Sequence, residues 1–169
     1  MAAFIYRSNL LKYLMCLIKL TGSFLVLFTM LSGCNFSVKF DQSTDLIRGK
    51  KSDAPNDALA CPLNFCRGRA NYTVPNFQFS KAALAVKFRE IIKSEPRTTL
   101  LHTNPGLDQL IFVQRSRLFG FPDTIWVQFV DLRSESSLII YSRSNYGYWD
   151  FGINGKRVKS WLKKLKALD

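Results

Sequence analysis

Residues 124–132, Thr-Ile-Trp-Val-Gln-Phe-Val-Asp-Leu, contain the alternating pattern on which the predicted fold rests. Ile125, Val127 and Phe129 alternate with the residues between them, which is the period of two expected of a β-strand. The alternation predicts a strand in a sheet that has one face covered.

Three more segments are rich in β-branched and aromatic residues, and they span residues 98–102, 109–117 and 138–143. The connections between the four segments carry turn-forming residues and lie at 104–106, 120–123 and 133–136. Because short connections join antiparallel neighbours, we expect a four-stranded antiparallel meander.

A helix is predicted on each side of this meander. Ser80 is a suitable N-cap for a helix that ends at about Ser94, before Pro96. Its apolar residues recur at three-to-four spacing and are Leu84, Phe88, Ile91 and Ile92. The fold class is therefore α+β, a four-stranded antiparallel meander sheet flanked by an N-terminal and a C-terminal helix.

The C-terminal helix is predicted to begin at about Gly155, with Asn154 as its cap. One stripe is apolar and consists of Val158, Trp161, Leu162 and Leu165. The other faces are basic and carry Lys156, Arg157, Lys159, Lys163, Lys164 and Lys166. Such a basic face is either a solvated surface or a surface for an anionic partner or a membrane.

The N-terminal region has the pattern of a secretory signal. Arg7, Lys12 and Lys19 precede an apolar run over residues 20–30, with no acidic residue among them. Leu-Ser-Gly-Cys at 31–34 then resembles the processing site of bacterial lipoproteins, and that resemblance implies lipidation of Cys34.

A retained membrane span is the alternative for this region. Lys19 leaves only about a dozen continuous apolar residues, against roughly 20 for a helix that crosses a bilayer. We therefore expect a cleaved lipoprotein signal peptide at 1–33, a flexible tether at 34–60 and a single α+β domain at 61–169. Asn35 is not the aspartate that typically retains lipoproteins at an inner membrane, so the periplasmic face of the outer membrane is the predicted location.

Charge indicates the class of partner. The chain has 24 basic and 12 acidic residues, and removal of residues 1–33 takes away three basic ones, leaving 21 minus 12, or +9. For an exported protein this charge favours anionic lipids or acidic wall polymers and makes nucleic acid a poor candidate.

Cys61 and Cys66 remain as a pair once Cys16 leaves with the signal peptide and Cys34 takes the lipid. In an oxidising compartment we expect them to form a disulfide. The alternative is a metal site, but two thiols provide half of a zinc shell and His102 is far along the chain. No metal and no cofactor are predicted.

The densest motif spans residues 142–157 and joins the last strand to the last helix. Its four aromatic residues are expected to fold back onto the core, and Asp150 to accept backbone amides or to pair with Arg143 or Arg157. We treat this stretch as a candidate binding loop, whose site residues are Ser142, Arg143, Ser144, Tyr146, Asp150, Asn154 and Arg157.

This motif resembles the signature of an uncharacterised bacterial family, the domain of unknown function numbered 1499. The matching positions are Ser142, Ser144, Gly147, Asp150, Gly152, Asn154 and Arg157, whereas many members have arginines at the positions of Tyr141 and Asn145. Cys-Pro-Leu-Asn-Phe-Cys at 61–66 and Phe-Pro-Asp at 121–123 are similar to two further family elements. The resemblance covers about residues 61–165 and implies an architecture and a location, without a reaction.

No catalytic residue is assigned from the sequence. There is no nucleophile elbow around Ser142 or Ser144, no phosphate loop, and no carboxylate pair whose spacing stands out. We expect a non-catalytic envelope lipoprotein that binds an anionic or protein partner. The alternative is an enzyme that acts on an envelope polymer or lipid with Asp150 as its acid or base.

Overall fold

A computed structural model describes residues 54–66, 70–104, 106 and 108–169. The predicted signal peptide, the lipidation residue Cys34 and residues 34–53 of the predicted tether lie outside the described residues. None of the helices in the described ranges is both long enough and apolar enough to cross a bilayer.

The described chain forms six strands and two helices. The strands are β1 (Asp57–Pro62), β2 (Tyr72–Val74), β3 (Thr98–Thr103), β4 (Gln109–Arg115), β5 (Pro122–Leu132) and β6 (Glu135–Ser144). The helices are α1 (Lys81–Lys93) and α2 (Ile153–Lys166). The α+β class predicted from the sequence is confirmed.

The strand order in the single sheet is β2-β1-β6-β5-β4-β3. Strands β3 to β6 are the predicted antiparallel meander, with β5 and β6 paired through ten residues on each strand. The prediction of four strands is wrong, because β1 adds antiparallel to β6 and β2 adds parallel to β1. Strand β1 has few β-branched or aromatic residues and pairs with a strand far along the chain, so local patterns do not indicate it.

The described domain begins before residue 61. Asp57–Pro62 is a strand, and Ala58, Leu59 and Ala60 in it are buried. The predicted boundary of the tether at residue 60 is therefore wrong for residues 57–60. The disulfide between Cys61 and Cys66 is present and joins the end of β1 to the loop that follows it.

The caps of the two helices differ from each other. Ser80 caps α1 as predicted, since its Oγ accepts a hydrogen bond from the amide of Ala83 at 3.3 Å. The N-cap of α2 is Gly152, not Asn154, and its left-handed backbone has φ 72°. Asn154 lies inside the first turn and is fully buried.

Both helices pack on one face of the sheet. Phe88 of α1 is at the centre of this core, with its ring 6.0 Å from that of Phe129 and 5.9 Å from that of Trp161. The opposite face also has a buried cluster, which includes Leu59, Ile111, Trp126, Ile139 and Tyr141. The expectation that only one face is covered is therefore wrong for the central strands.

Three chain segments meet at one end of the sheet, which we call the upper end. There β4 ends at Arg115, opposite Pro122, the first residue of β5, and the next residue, Asp123, pairs with Ser144 at the end of β6. The loop of residues 145–152 leads from β6 into the first turn of α2. This end contains the 142–157 motif.

Candidate functional site

The loop of residues 145–152 turns sharply from β6 into α2. Gly147, Phe151 and Gly152 have φ angles of 85°, 54° and 72°, all in the left-handed region. Glycine adopts this region without strain, whereas phenylalanine does so at a cost. The two glycines therefore explain how the turn is made, and Phe151 is its strained position.

Asp150 holds the start of α2. One carboxylate oxygen accepts the amide of Gly152 at 2.9 Å, and the other accepts the amide of Asn154 at 2.8 Å. Amides in the first turn of a helix have no partner within the helix, and a carboxylate there also interacts favourably with the helix dipole. Asp150 is buried, so its observed role is to fasten the loop to the helix.

Asn154 connects α2 to two strands and to the chain before β1. Its Nδ2 donates to the carbonyl of Asn56 at 2.9 Å and to Ser144 Oγ at 3.0 Å. Its Oδ1 accepts from Ser142 Oγ at 2.6 Å and from Arg157 Nη1 at 2.5 Å. Two donors and two acceptors are the full capacity of a side-chain amide, so this buried group is satisfied.

Arg157 is the hub of the same network. Its Nη2 forms a buried ion pair with Asp123 Oδ2 at 2.6 Å. Its Nη1 also donates to Ser142 Oγ at 2.8 Å, and its Nε donates to Gln114 Oε1 at 2.5 Å. One guanidinium thus joins α2 to β4, β5 and β6. We call the set of Gln114, Asp123, Ser142, Ser144, Asp150, Asn154 and Arg157 the polar clasp.

The seven residues of the predicted binding loop separate into two groups. Ser142, Ser144, Asp150, Asn154 and Arg157 are buried and belong to the polar clasp. Arg143 and Tyr146 lie outside it. Arg143 points to the face opposite Ser142 and Ser144, because neighbouring residues of a strand alternate between faces, and it is exposed there near the end of β6. Of the two partners expected for Asp150, neither is observed, since Arg157 binds Asp123 instead.

Tyr146 is half-buried beside Phe121, with 6.2 Å between the ring centroids. Burial raises the pKa of its phenol, and the nearby positive charge of Arg115 acts in the opposite direction. The other three aromatics of the loop do not fold back onto the core as expected. Tyr148, Trp149 and Phe151 are instead largely exposed.

Sequence reasoning missed three residues of the network. Asp123 was visible in the Phe-Pro-Asp element, but nothing local to it indicates a partner in α2. Gln114 and Asn56 carry no sequence signal, since each is a single polar residue near the end of a strand or just before one. They join the network only because the sheet brings distant segments together.

The polar clasp uses its hydrogen-bonding groups internally. Partners within the protein engage both carboxylate oxygens of Asp150 and both ends of the Asn154 amide. They also engage all three nitrogens of the Arg157 guanidinium. This arrangement supports a structural role for these residues. Among the described residues, no group of three or more His, Cys, Asp or Glu side chains could hold a metal ion.

The exposed surface beside the clasp is basic. Lys156, Lys159, Lys163 and Lys166 follow one another at three- and four-residue spacing along α2, and all four are exposed. They therefore form one stripe, opposite the buried Val158, Trp161 and Leu165. No acidic residue occurs in α2. We call these four residues the lysine stripe.

The fold and the clasp define a class of protein: a small α+β domain with a six-stranded sheet, in which a buried Asp–Arg pair fastens the last helix to the sheet. The chain belongs to the family described as proteins of unknown function, DUF1499, whose model matches residues 48–165. The resemblance seen in the motifs is thus confirmed, and the match starts earlier than the cysteine pair. No curated protein and no solved structure matches the chain.

Proposed function

We propose that this protein is a lipid-anchored, non-catalytic module of the cell envelope that binds an anionic partner through the lysine stripe of α2 and the loop beside it. The observation that carries this proposal is the stripe itself, with four exposed lysines in line on a helix that has no acidic residue. A surface of one sign attracts anionic partners and increases their encounter rate.

The contacts of α2 within the described domain do not neutralise the lysine stripe. The Nζ of Lys159 lies 4.9 Å from the centre of the Tyr72 ring, which orients the side chain but leaves its charge in place. The ion pair of α2 with Glu95 is made by Lys164, which is outside the stripe. The positive charge of the stripe therefore remains available to a partner.

The polar clasp supports binding over catalysis. A general acid or base must reach a substrate atom, whereas the Asp150 carboxylate is buried and accepts two backbone amides. The clasp holds the loop and α2 in a fixed relation to the sheet, so it presents the exposed residues as one rigid surface.

The anchor part of the proposal depends on the Leu-Ser-Gly-Cys sequence at 31–34 and the basic and apolar segments before it. It is tested by labelling cells that express the full chain with radioactive palmitate. We expect the label to enter the natural protein and to be absent from a Cys34→Ser variant. Equal labelling of both would refute the anchor.

The binding part is tested on the full chain purified in detergent, with inorganic polyphosphate as the anionic probe. A Lys156→Gln/Lys163→Gln variant should bind at least about threefold more weakly than the natural protein, because two charges of the stripe are lost. The matched control is Lys93→Gln/Arg133→Gln, which removes the same net charge from two exposed basic residues outside the stripe. Equal weakening of both variants would show that only net charge matters and would refute a defined surface.

A further inference from the structure

The upper end of the sheet carries apolar side chains that the fold leaves in solvent. In the loop of residues 145–152, the exposed fractions of Tyr148, Trp149 and Phe151 are 65%, 64% and 83%. In the turn between β4 and β5, Leu118 is 83% exposed and Phe119 is 40% exposed. Single exposed apolar residues are ordinary, but five on two adjacent loops are a patch that calls for a partner.

The two loops are adjacent in space. The rings of Phe119 and Phe121 are stacked with centroids 5.4 Å apart, and Phe121 contacts Tyr146 at 6.2 Å. The amide of Asn145 donates to the carbonyl of Pro122 at 3.2 Å, which fixes one loop to the base of the other. We call Leu118, Phe119, Tyr148, Trp149 and Phe151 the aromatic tip.

The backbone at Phe151 indicates that the exposure of its ring is not explained by the needs of the fold. Its φ of 54° is a conformation that a bulky residue adopts only at a cost, and its side chain is almost fully exposed. The fold itself gains little burial from a phenyl group at this position. Glycine or asparagine would suit the same backbone better, so the ring has its use outside the folded domain.

The charge around the aromatic tip is positive. Arg117, Arg143 and Lys156 are exposed at the bases of the two loops. The acidic residues of the same segments, Asp123 and Asp150, are buried and engaged in the clasp. Asp57, the strand neighbour of Arg143, is half-buried and accepts the hydroxyl of Tyr141.

We propose that the aromatic tip inserts into the headgroup region of an anionic lipid bilayer, with the surrounding arginine and lysine side chains on the lipid phosphates. Tryptophan and tyrosine favour that region because one end of each ring system is apolar and the other polar. Exposed Phe and Leu add apolar area, and basic residues add attraction to anionic lipid. This inference rests on the proposed function and names a bilayer as its anionic partner.

Trp149 provides a probe for the test. The chain has three tryptophans, and the other two, Trp126 and Trp161, are buried in the two core clusters. Only Trp149 is therefore expected to meet a quencher carried by lipid. The full chain is reconstituted into vesicles of phosphatidylglycerol and phosphatidylcholine whose acyl chains carry bromine, and tryptophan emission is compared with that in unbrominated vesicles.

We expect bromine to quench the emission in anionic vesicles, and the quenched component to be absent in a Trp149→Phe variant. A Phe151→Asn variant should reduce the quenching at least about threefold, since it removes apolar area from the tip while keeping the backbone conformation favourable. The control is Leu63→Asn, which changes an exposed apolar residue of the β1–β2 loop outside the tip and should leave the quenching unchanged.

The inference would be overturned if brominated lipid does not quench the emission of Trp149 while acrylamide in the water still does. Equal effects of Phe151→Asn and Leu63→Asn would also overturn it. If polyphosphate binding still depends on the lysine stripe in that case, the proposed function survives and the partner is a soluble or wall-bound polyanion. If Trp149 is not quenched and polyphosphate binding does not depend on the lysine stripe, the proposed function is refuted as well.

Discussion

Replacing Arg157 by methionine tests whether the polar clasp holds the last helix on the sheet. Methionine keeps much of the side-chain length but removes the charge and every hydrogen bond that the guanidinium makes to Asp123, Ser142, Asn154 and Gln114. The side chains of Arg157 and Asp123 are only 6% and 10% exposed, so the carboxylate would be left buried without its cation. Removal of one partner from such a pair costs about 3–5 kcal/mol of folding free energy.

The second half of this test removes the unpaired carboxylate of Asp123. An Asp123→Asn/Arg157→Met double variant has no buried carboxylate, so the remaining cost is that of imperfectly paired polar groups, about 1–3 kcal/mol. The double variant should therefore be more stable than the Arg157→Met single variant, which is a strong coupling between the two sites. The matched control is Arg143→Met, because Arg143 is exposed on the same end of β6 and should change stability by less than about 0.5 kcal/mol.

Urea unfolding followed by tryptophan fluorescence measures these differences, since Trp126 and Trp161 are buried in the two clusters of the core. An Arg157→Met variant within about 1 kcal/mol of the natural protein would refute the reasoning. The Asp123→Asn single variant completes the comparison. If the costs of Asp123→Asn and Arg157→Met simply add up to the cost of the double variant, the two sites are independent and the reasoning is also refuted.

Three further changes test the local structure by the same unfolding measurement. Asp150→Asn leaves only one side-chain oxygen for the two amides of α2 and should cost about 1 kcal/mol, whereas the same change at the exposed Asp131 should have no measurable effect. Phe151→Gly should raise stability by about 0.5–1 kcal/mol because it relieves the left-handed backbone, and a loss of stability would show that the ring packs in the fold. Changing Cys61 and Cys66 together to serine should cost about 2 kcal/mol through the freedom regained by the unfolded chain, and unchanged stability would contradict a stabilising disulfide.

Part of the clasp was predictable from its residues. Of the two roles predicted for Asp150, accepting backbone amides is confirmed, because a carboxylate just before a helix meets free amides whatever the rest of the fold does. Pairing with Arg143 or Arg157 is not observed, since Arg157 binds Asp123. The partner of Arg157 was not predictable in the same way. Asp123 is 34 residues away in sequence, and only the pairing of β5 with β6 brings it under α2.

The exposure of the aromatic tip is a second place where sequence reasoning was wrong. Aromatic residues are usually buried, so the sequence predicts that Tyr148, Trp149 and Phe151 fold back onto the core. The residues of α2 that follow the loop, Val158, Trp161 and Leu165, are buried in the core, and the clasp fastens the loop to this helix. The side chains are therefore left at the surface, where they form the basis of the bilayer proposal.

Local sequence patterns were enough to predict α1, the four strands of the antiparallel meander, the C-terminal helix and the disulfide, because periodicity, short turns and cysteine pairing act between residues that are close along the chain. It also carried the motifs of the family. Only the folded domain shows β1 and β2, the burial of both faces of the sheet and the Asp123–Arg157 pair, because each depends on contacts between segments that are separated along the chain. Such contacts are set by the packing of the whole domain, and no local pattern specifies them.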